Sequence, residues 1–120
     1  MEQQPTIEGL QEQLKVVTED RYQAETSLHK LERNTEDVQS IFQKIQQLFN
    51  EMRETWQEGE MSAQIAELQQ ETVYQQQGYL YESEDDYEKL QKKKHALMAK
   101  EDELYYQKLN LSREEQTHEH

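Results

Sequence analysis

Apolar residues recur along the first half of this chain with a period that few folds satisfy. Stepping by seven from Ile7 gives Ile7, Leu14, Arg21, Leu28, Thr35, Phe42, Phe49 and Trp56. The series offset by three gives Leu10, Val17, Ala24, Leu31, Val38, Ile45 and Met52. Thirteen of these fifteen positions are apolar in a chain that is only 32% hydrophobic, so the spacing follows a rule. An unbroken 3-4 alternation is the seam of a long α-helix that packs against another helix. With 26 acids against 13 bases the composition alone would suit a disordered polyampholyte, and the spacing is what argues against one.

Local signals set the expected boundaries. Thr6, just after Pro5, is placed to cap a first helix of about residues 6–58, and Gly59 is free to take the left-handed conformation beyond its end. Fifty such residues would make a rod of roughly 75 Å. The chain has three Gly and one Pro, and the plausible reversal lies at 57–62, with Trp56 and Gly59 at the turn and Ser62 as a cap for a second helix of about 62–112. That second helix reads as changing lane: Ala66, Val73, Leu80 and Tyr87 form one seven-residue series, and Leu90, Leu97, Leu104 and Leu111 form another.

Folding back at Gly59 and Glu60 sets residues whose numbers sum to about 121 opposite each other. Leu31 then meets Leu90, Ala24 meets Leu97, Val17 meets Leu104 and Leu10 meets Leu111. The expected fold is therefore all-α, an antiparallel two-helix hairpin with coiled-coil packing, a single domain over 1–120 with frayed tails at 1–5 and 113–120. In this register Phe42 falls beside Tyr79 and Leu80, and Gln43, Gln46 and Gln47 face Gln75, Gln76 and Gln77. Two seam positions are polar. Arg21 falls near Glu101 and either pairs with it, fixing alignment, or snorkels to water; Thr35 is the other. Gly78, mid-helix, is either a tolerated weak spot or a point of close approach for another helix.

Composition removes several functions. A net charge of −13 disfavours nucleic acid and anionic membranes as partners. No Cys is present, and no apolar run of about 20 residues or secretory leader is seen, which places the chain in the cytoplasm as a soluble protein. Two packed helices offer no water-excluded pocket for catalysis, so no enzyme and no cofactor is expected. His118-Glu119-His120 alternates imidazoles but reads as tail, and no Glu-x-x-His pair suggests a metal. The acids Glu82, Glu84, Asp85, Asp86 and Glu88, followed by Lys89, Lys92, Lys93 and Lys94, read as a solvated helical face laced by i,i+4 pairs.

What remains is a protein partner. Phe42, Phe49 and Trp56 share one lane, Ile45 and Met52 the next, and Ile41 and Leu48 widen the stripe beyond what one helix covers. Phe42, Ile45, Leu48, Phe49, Met52 and Trp56 are accordingly the expected partner-binding residues. The alternative is self-assembly: a homodimeric four-helix bundle of this chain alone.

Residues 48–56, Leu-Phe-Asn-Glu-Met-Arg-Glu-Thr-Trp, and 100–108, Lys-Glu-Asp-Glu-Leu-Tyr-Tyr-Gln-Lys, resemble a family of small helical proteins encoded beside LXG toxins, the LXG-associated α-helical proteins. The similarity spans roughly residues 40–115. It implies a WXG-like hairpin that binds the helical LXG domain of a type VII secretion effector, alongside a second small helical companion, and helps deliver it for export. The adaptor itself would then stay in the cytoplasm or leave with the effector by a route that needs no signal peptide. The turn spacing here is Trp-x-x-Gly, from Trp56 to Gly59, where the WXG pattern has Trp-x-Gly. The companion family's Phe-x-x-x-Asp motif has no counterpart, because Phe42 is followed four residues on by Gln46 and Phe49 by Arg53. A Tyr-x-x-x-Asp match, Tyr81 to Asp85, resembles the export signal of such substrates but lies mid-helix.

Overall fold

A computed structural model describes residues 5–118. The chain forms two helices, α1 (Ile7–Thr55) and α2 (Glu60–His118), packed against each other as an all-α helical hairpin. Residues 1–4 of the expected N-terminal tail, and Glu119 and His120 of the imidazole tract, lie outside the described residues.

Thr6 caps α1 as its position suggests: its Oγ1 accepts the Gly9 N–H at 3.0 Å, and its carbonyl accepts the Leu10 N–H at 2.9 Å. The other three boundaries differ from expectation. α1 stops at Thr55, where the Trp56 N–H donates to the Met52 carbonyl at 2.9 Å and closes the final turn. Gly59 does take positive φ, at 92°, but it belongs to the start of α2, since its carbonyl accepts the Ala63 N–H at 3.3 Å. Ser62 therefore lies inside the first turn of α2 rather than capping it. At the far end α2 runs on to His118, through residues expected to fray from 113. Nothing from Arg113 to Thr117 breaks a helix, and extending one that already exists costs little.

The chain divides into two compact units: one joins the chain up to Leu28 with the chain from Lys89 onward, and the other runs His29–Glu88 and contains the turn. In the first unit the heptad reading holds. Leu10, Ala24 and Leu28 of α1 and Leu104 of α2 are buried, and Leu90, Leu97 and Leu111 continue the inward row of α2 half-buried. Val17 and Leu104 line the same shallow groove, in keeping with their expected pairing. Between the leucines the inward row of α2 is charged, at Lys94, Glu101 and Lys108. Their aliphatic stems cover the seam while their heads reach water or a partner.

In the unit around the turn, α1 turns Leu31, Val38, Phe42, Ile45 and Phe49 toward the pairing face, each half-buried. The opposing row of α2 is not the expected one. Of the expected series only Leu80 is covered; Ala66, Val73 and Tyr87 are exposed, and the other covered positions are Ser62, Ile65, Gln69, Thr72, Gln76, Tyr79 and Ser83. The short connection starts α2 at Glu60 and so fixes its rotational phase, which brings Ile65 inward and turns the following Ala66 to the flank. Amides and hydroxyls are thereby the filling of this half, and Ile65 is its one large fully buried side chain among the described residues.

The same phase explains the glutamines. Gln46 meets Gln69, whose Nε2 donates to the Gln46 Oε1 at 3.0 Å, in place of the pairing expected with Gln75 to Gln77. The lane change in α2 falls between Ser83 and Leu90. Tyr79, Ser83 and Tyr87 follow each other by two four-residue steps, an insertion into the 3-4 alternation that α1 does not share.

Candidate functional site

The six expected partner-binding residues divide into two groups. Phe42, Ile45 and Phe49 are half-buried on the side of α1 that packs within the unit around the turn. Leu48, Met52 and Trp56 are exposed. The lane holding Phe42, Phe49 and Trp56 is therefore largely spent inside the hairpin, and the flank beside it is what stays open.

That flank is built by both helices. Ile41 and Leu48 each precede a seam residue of α1, Phe42 and Phe49, while Met61 and Leu68 each precede a seam residue of α2, Ser62 and Gln69. In an antiparallel helix pair, positions that precede the seam in this way fall on the same side of both helices. Hydrogen bonds fix the level. Gln69 reaches Gln46, Asn50 at 3.4 Å and Arg53 at 3.1 Å, all on the opposite side of the α1 seam, so Leu68 lies level with Leu48 and points the other way from that cluster. Ile41, Leu48, Met61 and Leu68 are 54%, 58%, 47% and 51% exposed, which makes them one open apolar face in place of four isolated side chains. The α1 members were legible from the widened stripe; Met61 and Leu68 were not, because they become neighbours of Leu48 only once the phase of α2 is known.

On the opposite side of the same unit, the mismatch between α1 and the extra step in α2 leaves an open groove of about 600 Å³. Leu31, Thr35, Leu80 and Tyr87 form its floor and Glu32, Glu36, Glu84 and Glu88 its rim. It is open to water along its length, with the hydroxyl groups of Thr35, Ser83 and Tyr87 among its lining. Among the described residues no group of three or more His, Cys, Asp or Glu is arranged to hold a metal ion.

The polar seam residues are satisfied. Arg21 donates through Nε to Glu101 of α2 and through Nη1 to Glu25 of its own helix at 2.8 Å. Hydrogen bonding to Glu101, then to Glu25, holds its guanidinium pKa above the ordinary value. Of the two readings of Arg21, pairing is the one realised. Thr35 returns its hydroxyl to the Leu31 carbonyl at 2.8 Å, which removes the cost of a polar group in the seam. Tyr81 is three-quarters exposed, on the outer side of α2, and Asp85 lies one turn further along the same face.

A family profile described as protein of unknown function (DUF3958) matches residues 5–111. The chain belongs to the DUF3958 family. The match takes in both helices and the turn, so the apolar flank, the polar seam of α2 and the Arg21 pair all lie within the family's extent in this chain. Comparisons with curated proteins and with solved structures return no match. No described helix of this DUF3958 chain is long and apolar enough to cross a membrane.

Proposed function

We propose that this DUF3958 protein is a non-enzymatic adaptor, a targeting chaperone that binds the helical LXG domain of a type VII secretion toxin and promotes its export together with a second small helical companion. The single observation that carries the partner reading is the open apolar flank at the turn, where exposed Ile41, Leu48, Met61 and Leu68 adjoin exposed Met52 and Trp56. A helix pair whose turn-proximal seam holds only Ile65 as a large buried side chain gains from a third helix laid along it. The naming of the partner rests on the sequence resemblance of residues 48–56 and 100–108 to proteins encoded beside LXG toxins. On this reading the protein meets its effector in the cytoplasm, before a signal-peptide-independent export step.

Co-expression with the neighbouring LXG protein and capture through a tag on either chain tests the proposal. A stable complex, lost when Leu48 and Trp56 are changed to serine and retained when Tyr81 is changed to alanine, is the expected result. Failure to capture the LXG protein, with a concentration-independent homodimer in its place, would give the chain to the structural coiled-coil class.

A further inference from the structure

The apolar flank has a charge environment that selects what can cover it. Residues 29–88 hold four Lys and Arg against fourteen Asp and Glu, so ten of the chain's thirteen net negative charges fall in the unit that carries the open face. Along its edges one helical turn from Ile41, Leu48 or Leu68 stand Asp37, Glu51 and Glu71, with Lys44 as the base among them. A second copy of this chain would bring the same excess of acid against itself, which costs free energy that a small patch does not return. A helix with basic flanks gains instead.

We propose that Ile41, Leu48, Met61 and Leu68 form the docking face for an amphipathic helix whose apolar seam is bordered by lysine or arginine. This deepens the adaptor reading, on which that helix belongs to the effector or its companion. Because Leu48 and Leu68 lie level, Ile41 sits one heptad from that level away from the turn and Met61 one heptad toward it, about 20 Å of helix axis in all, so the occupant engages roughly four turns. Its side chains enter between α1 and α2 as a third helix enters the groove of a pair, and its basic flanks lie over Asp37, Glu51 and Glu71.

The probes are two designed helical peptides with leucine at the seam positions, one flanked by lysine and one by glutamate, titrated against the full chain by fluorescence anisotropy. The lysine-flanked peptide is expected to bind at least about tenfold tighter than the glutamate-flanked one and to weaken as salt is added. In a Leu48→Ser, Leu68→Ser variant, which changes no charge, its affinity falls by about tenfold or more, whereas Tyr74→Ser on the outer side of α2 leaves it unchanged. Helix content by circular dichroism confirms that both variants remain folded. Equal binding of the two peptides, or undiminished binding to the double serine variant, overturns the inference. So does a dimer of the wild-type chain that the double serine variant dissolves. Capture of the LXG protein is scored separately. If it binds wild type and the double serine variant alike, the docking face is wrong and the adaptor reading stands; if it binds neither while the peptides behave as expected, the face stands and the named partner falls.

Discussion

Arg21 shows what one residue contributes to alignment. A guanidinium at a seam position is costly unless it is paired, and here it joins Glu101 across the hairpin and Glu25 along α1. Reversing either member, Arg21→Glu or Glu101→Arg, should lower Tm by a few degrees. The double reversal should recover part of that loss in thermal melts, and no recovery would mean that the pair does not set register. Gln46 is a different case. Its Nε2 is buried and has no hydrogen-bond partner while its Oε1 accepts from Gln69. Because an orphaned buried donor costs about 1–3 kcal/mol, whereas removing both partners of a polar contact is close to neutral, Gln46→Leu with Gln69→Leu should be neutral to stabilising by about 1 kcal/mol in urea unfolding. Gln69→Leu alone should destabilise, since it strands the Gln46 oxygen as well. Of these two contacts the sequence raised the first as one of two readings, because a charge in an apolar lane is conspicuous. A glutamine among many glutamines is not, and its partner depends on a helix phase that no residue type announces.

For the elements, the period of α1 was legible from end to end because its seam is apolar, and its start was legible because Thr6 precedes it. α2 was legible in its leucine half alone. Toward the turn its covered row sets Ser62, Gln69, Thr72, Gln76 and Ser83 among Ile65, Tyr79 and Leu80, so hydrophobic spacing also pointed to Ala66 and Val73, which are exposed. Three substitutions test the helix ends and interior. Thr6→Ala should cost about 1 kcal/mol through loss of the cap. Gly78→Ala should add about 1 kcal/mol, because a Cβ there meets nothing within 4 Å and the gain in helix propensity is unopposed. Open space at Gly78 also settles its role inside the chain: no neighbouring helix approaches it. Gly59→Ala should destabilise by about 1–2 kcal/mol despite equally open surroundings, because φ of 92° strains any residue with a Cβ. Denaturant unfolding of the three variants distinguishes the signs directly.

For the molecule, acid excess and apolar thinness are linked. A chain with a net charge of −13 repels itself, so Tm should rise as sodium chloride is increased from about 0.05 to about 0.5 M, even though the Arg21 pair is weakened by the same screening. The hydrophobic content of 32% serves two helices, and it is divided unevenly. Leu10, Ala24, Leu28 and Leu104 are buried in the unit of chain ends, against Ile65 and Ser83 in the unit around the turn. Helix content and the inward row at the chain ends could be reached from residue spacing. The position of the open face could not, since it is assembled from Leu48 and Leu68, twenty residues apart, through the phase of α2.

The central claim is that the unit around the turn is completed by a basic-flanked helix of another protein. Amide hydrogen exchange on the free chain and on its complex with the LXG protein measures this most directly. Amides within 41–68 should exchange much faster than those around Ala24 and Leu104 in the free chain, and should slow by at least about tenfold in the complex. A free chain already as protected at 41–68 as at its buried leucines, or a complex that leaves 41–68 unchanged, would contradict it.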